Sequence, residues 1–146
     1  MIPTLSGRIQ TRIFILALIG SLATLVVSLV LPSAPDSLAE TYKATFGVLI
    51  AVAVLGVGWE LIYHGLMQFR WEKDWPTLFG LVTAINEGAL VWFLIKADVI
   101  PGVSSDLAFS TFLVDFAVVW LATFLFVNGP MRVPFIRWRH NGGRLV

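Results

Sequence analysis

The sequence predicts an all-α integral membrane protein, with four transmembrane helices in one bundle and both termini in the cytoplasm. Three observations carry that expectation. First, 58% of the 146 residues are hydrophobic and only 13% are charged, against roughly a quarter charged in a soluble domain. Mean hydropathy is correspondingly high at +0.86. Second, four segments approach the ~20 helical residues needed to cross a hydrocarbon core of ~30 Å. Third, Lys and Arg fall unequally on the two sides that these segments define.

The first span is Ile13 to Leu31, IFILALIGSLATLVVSLVL, without a charge. Pro32 and Pro35 follow and stop it, because proline lacks the amide and clashes with the preceding turn. Arg8 and Arg12 before it, and Ser37-Leu38-Ala39 after it, resemble a secretory leader with a cleavage site. The apolar run exceeds the usual core of ~7–15 residues in such leaders, which predicts a retained helix. The second span covers about 44–67 and the third about 76–95, where Pro76 suits a first helical turn. The fourth covers about 107–127, with Ser104 or Ser105 as candidate cap and Asn128-Gly129-Pro130 as stop. Helices are expected throughout because lipid cannot satisfy free backbone groups. The chain reads as a single domain, 1–146, ending in a basic tail over 129–146.

Four spans put both termini on one side. That side holds Arg8, Arg12, Arg70, Lys73, Arg132, Arg137, Arg139 and Arg144; the other holds Lys43 and Lys96. The excess predicts cytoplasmic termini in a plasma membrane of the bacterial inner-membrane type. Trp71 and Trp75 suit an interfacial belt at the connection between spans two and three. In the tail, Arg132, Arg137, Trp138 and Arg139 are candidates for contact with anionic lipid head groups or a partner's acidic surface.

Cysteine is absent, which excludes disulfides, thiolate metal sites and thiol catalysis. No phosphate-binding glycine loop, serine-elbow or zinc-protease motif occurs. The sequence therefore predicts no enzyme, no cofactor and no metal, and a net charge of +1 points to no nucleic acid.

The polar residues within the spans are the informative ones. Glu60, with His64 one turn later, lies ~6 Å from the centre of span two at 1.5 Å per residue. Asn86 and Glu87 stand almost at the centre of span three, and Asp115 close to that of span four. Facing lipid as a charge, each acid would cost ~2.5–3.5 kcal/mol, so all should turn inward. Helical spacing agrees. Ala53, Gly56, Glu60 and His64 share a face, as do Gly80, Thr83, Ala84 and Glu87. So do Ala108, Thr111, Asp115, Val118 and Ala122, and on span one Ala17, Ser21, Thr24 and Ser28. Small and hydroxylated stripes of this kind are packing faces in lipid.

A second seam on span two, Ala44, Ala51, Gly58 and Gly65, recurs every seven residues nearly opposite Glu60. With Gly80, Ala84 and Gly88 it marks candidate helix-packing positions and predicts packing on both sides of span two. No Lys or Arg falls within the four spans, so the acids are expected to pair with one another, with a partner subunit or with a cation. One His among scattered acids is a weak metal signal. The leading expectation is a non-enzymatic accessory subunit of a membrane assembly or homo-oligomer. The alternative is a small proton- or cation-coupled transporter using Glu60, Glu87 and Asp115.

Overall fold

The computed structural model describes residues 4–31, 37–69 and 76–146, and only the backbone of 76–80. The chain is 80% helical, with no strand among the described residues. Four long helices dominate the described residues. We label them α1 (Leu5–Val30), α2 (Leu38–Gln68), α3 (Pro76–Lys96) and α4 (Phe109–Asn128). A 3₁₀ turn, Pro130–Arg132, and a short helix α5, Ile136–His140, complete the tail. Among the described residues three helices, α1, α2 and Phe109–Arg132, are long and apolar enough to cross a membrane.

α1 departs most from the sequence expectation. Thr4 caps it, its Oγ1 accepting from the Gly7 amide at 3.1 Å, so the helix begins eight residues before the apolar run (Leu5 rather than Ile13). Arg8 and Arg12 thereby become helical residues. Midway, Leu16–Gly20 form a π-turn, the kind of local bulge that often accompanies functional sites. α2 is also longer than expected: its 31 residues span about 46 Å. Ser37 caps it by accepting from the Glu40 amide at 3.3 Å. Neither Ser104 nor Ser105 caps α4. The helix starts after Ala108 without a side-chain cap, while Ser104 Oγ accepts from the Asp106 amide in the preceding turn.

The core joins Leu16 of α1, Val48, Leu49 and Val52 of α2, Val91 and Ile95 of α3, and Phe112 and Val119 of α4. Ile100 and Val103 from the α3–α4 connection close its far end. Outside this core every helix presents large apolar side chains, among them Val26 and Leu29, Ile50 and Val54, Ile85 and Phe93, and Val114 and Leu121. Soluble monomers rarely carry apolar surface on this scale, and it fits a lipid-facing exterior.

The tail folds back onto the start of α1. Trp138 is 8% exposed, and its Nε1 donates to Thr11 Oγ1 at 2.7 Å. Thr11 in turn donates to the Gly143 carbonyl at 2.9 Å. The Gly142 carbonyl accepts from the Thr4 amide at 2.9 Å. Gly142 and Gly143 have φ of 62° and 82°, a left-handed turn that favours glycine. A Cβ on Gly7 would collide with that turn. Trp138, expected at the head-group level, is therefore an internal anchor. Arg137 and Arg139 remain exposed, and Arg132 donates to Asn128 Oδ1 at 3.2 Å. Residues 32–36 and 70–75, with Pro32, Pro35, Arg70, Trp71, Lys73 and Trp75, lie outside the described residues.

Candidate functional site

The expectation that the intramembrane acids lack basic partners in this chain is overturned. Arg8 and Arg12, one turn apart on α1, point into the bundle. Arg8 Nε donates to Glu60 Oε2 at 2.5 Å, and its Nη1 lies 3.4 Å from the Met67 sulfur. Arg12 Nη1 stands 3.5 Å from Glu60 Oε1, while its Nη2 donates to Glu87 Oε1. Two guanidiniums thus meet two carboxylates across α1, α2 and α3. Glu87 is 2% exposed, so its charge depends on Arg12 rather than on water.

Gly56, on the Glu60 face of α2, makes the pairing possible. A Cβ there would overlap the Arg12 guanidinium; only a glycine lets that plane rest on the helix backbone. Hydropathy hid both arginines, because a charged first turn falls outside any apolar window. Two signals were present: Thr4 as a cap, and the four-residue spacing of Arg8 and Arg12, which matches one helical face.

Asp115 differs from the two glutamates. It is 3% exposed, and its Oδ1 has no hydrogen-bond partner. It makes no hydrogen bond or ion pair among the described residues. Nearby in the bundle, Thr24 of α1 is completely buried with its Oγ1 likewise unpartnered. Just beyond, the hydroxyls are satisfied: Ser28 Oγ and Thr45 Oγ1 lie 2.8 Å apart, and Ser28 donates to the Thr24 carbonyl at 2.7 Å.

Two cavities meet at Asp115. The larger, about 670 Å³, extends from the terminal end of the bundle, at Gly7, Asn128 and Trp138, past the arginine–glutamate cluster to Thr24, Val48 and Asp115. The smaller, about 30 Å³, lies on the opposite side among Glu40, Thr41, Thr45, Thr111 and Phe112. Asp115 and Val48 line both. Facing the larger cavity, α4 also contributes Phe116, Val119, Trp120 and Phe124.

The remaining expected residues fall apart from this centre. Asn86 is exposed, and its Nδ2 lies 3.4 Å from the Tyr63 hydroxyl. His64 makes no hydrogen bond through its buried Nδ1. Among the described residues, no three His, Asp or Glu side chains converge as a metal site would need. On the seven-residue seam of α2, Ala51 packs against the core, but Gly58 and Gly65 face open space. Ala44 and Ala84 are half-buried. Gly80 lies among the residues of which only the backbone is described. Gly88 does pack, with Phe116 3.0 Å from the place of a Cβ. Val118, expected on the Asp115 stripe, faces outward, and Val119 takes its place inside.

No family model, curated protein or solved structure matches this chain.

Proposed function

We propose that the chain is a non-enzymatic, four-span membrane protein with cytoplasmic termini that exchanges a cation for a proton at Asp115. α3 supplies the remaining span; its 21 residues reach about 31 Å. The single observation that carries the reading is the position of Asp115, an unpartnered buried carboxylate lining a cavity on either side. An ionisable group in a membrane helix that faces a cavity and lacks a partner marks an ion or proton path. The sequence suggested three acids for this role. Glu60 and Glu87 now belong to the scaffold, because Arg8 and Arg12 occupy them, and Asp115 acts alone.

The test uses purified protein in vesicles that trap a pH-sensitive dye under an imposed proton gradient. A panel of sodium, potassium, ammonium and organic ammonium salts is added in turn. At least one cation should release protons with wild-type protein and fail to do so with Asp115→Asn. No release with any cation, or equal release with Asp115→Asn, overturns the reading.

The accessory-subunit reading keeps one observation in its favour. Gly58 and Gly65 meet nothing within 4 Å among the described residues, which favours a small face of α2 open to a neighbouring helix, whether of a second copy or of a foreign subunit. Native mass measurement in mild detergent separates these. On this reading Gly58→Leu dissociates a complex that Val54→Leu leaves intact; a monomeric wild type excludes it.

A further inference from the structure

The two cavities at Asp115 differ more than twentyfold in volume, about 670 Å³ against about 30 Å³. The smaller has room for roughly one water. The larger falls in the range of about 300–1,000 Å³ typical of small-molecule sites. Whatever organic body reaches Asp115 in this state does so from the terminal side. The smaller cavity, among Thr41, Thr45, Thr111 and Phe112, is too small for such a body.

The walls of the larger cavity narrow the chemistry. From Asp115 toward the terminal side, α4 presents Phe116, Val119, Trp120 and Phe124 in turn. Trp120 and Phe124 form a stacked pair with centroids 5.0 Å apart and planes 17° from parallel. Aromatic faces attract a desolvated cation. The arginine–glutamate cluster is neutral within itself, and Arg132 and Arg139 line only the terminal end, where both are exposed. Among the described residues lining it, Asp115 is therefore the one uncompensated charge at the deep end. A divalent inorganic ion would need several oxygen ligands. Beside the Asp115 carboxylate the deep end offers the Thr24 hydroxyl, and no trio of acids or histidines exists among the described residues.

We infer that the cation exchanged at Asp115 is an amphipathic organic monocation, an ammonium ion with an aromatic or branched apolar body. It enters from the terminal-side cavity, places its charge against Asp115 and lays its body along Trp120 and Phe124. Protonation of the carboxylate releases it: the proton bonds to Asp115 and the cation leaves, with no other reactant. This rests on the exchange reading above and names its substrate class.

Calorimetric titration of purified protein in lipid nanodiscs with benzyltrimethylammonium tests it, with sodium and a neutral compound of the same shape as controls. Wild type and Asp115→Glu should bind the ammonium probe, and Asp115→Asn should bind it at least about tenfold more weakly, as expected for loss of a buried charge partner. Trp120→Leu should weaken it about three- to tenfold, with the melting temperatures of all variants close to wild type. Equal binding of the neutral compound, or undiminished binding by Asp115→Asn, overturns the inference. Sodium-driven proton exchange without ammonium binding overturns this substrate class and leaves the exchange reading standing. Asp115-dependent ammonium binding without proton exchange supports the site and overturns transport.

Discussion

The terminal half of the bundle and the region around Asp115 treat buried acids in opposite ways. In the terminal half Glu60 and Glu87 are met by Arg8 and Arg12, and a glycine on α2 is reserved to seat the guanidinium. At Asp115 the acid is as buried as Glu87, yet among the described residues no basic group pairs with it and the adjoining space is open. Burial alone therefore does not decide what an acid inside the bundle is for. A charge fixed by its partner can tie three helices together. A charge with no partner and an adjacent cavity is free to take one up. The cost of insertion is similar for both, so the difference in pairing is the functional signal.

The sharpest way to break that comparison is to remove Arg12. Arg12→Met leaves Glu87 charged, buried and unmatched, a loss of about 3–5 kcal/mol, and thermal unfolding in detergent should show a large drop or no folded protein. Adding Glu87→Met should recover much of the loss; if the double variant is no better than the single, the pair is not a unit. Gly56→Ala acts on the same contact from behind. Its methyl displaces the guanidinium, and overpacking of this kind costs about 1–3 kcal/mol, read as a lower melting temperature. Behaviour like wild type would mean that Arg12 sits elsewhere.

Two smaller effects sharpen the contrast. Trp138→Phe keeps the ring and removes the donor to Thr11. A loss of about 1 kcal/mol is expected, together with faster proteolysis of the tail; unchanged proteolysis would mean that the tail does not rest on α1. Asp115→Asn should change stability least, by under about 1 kcal/mol, because it breaks no pair and only exchanges one polar group in a cavity for another of the same shape. A collapse of that variant would make Asp115 a structural residue.

Much of this architecture is written in the sequence, and the reasons for the gaps are physical. α3 and α4 lie within one or two residues of the apolar segments 76–95 and 107–127, since proline and Asn-Gly-Pro punctuation acts locally. Hydropathy alone starts α1 at Ile13 because it weighs Arg8 and Arg12 as flanks, although an N-cap and a four-residue step mark them as helix. Glu60, Glu87 and Asp115 were legible as inward-facing from helical period alone. Their division into paired and unpaired was not. That depends on how α1 packs against α2 and α3, over sequence separations of 52 residues for Arg8–Glu60 and 75 for Arg12–Glu87. The seven-residue seam on α2 shows the converse: the period is real, but Gly58 and Gly65 face outward, because an intrachain pattern cannot say which face a neighbour occupies.

The central claim is that Glu87 holds the bundle and Asp115 does its work. It is tested most directly by measuring melting temperature and cation-driven proton release on the same preparations of Glu87→Gln and Asp115→Asn. The prediction is a crossed result. Glu87→Gln melts lower yet exchanges at close to the wild-type rate per folded molecule; Asp115→Asn melts like wild type and exchanges nothing. If instead Asp115→Asn exchanges normally, or Glu87→Gln is fully stable and inactive, the two acids have been given each other's roles and the claim fails.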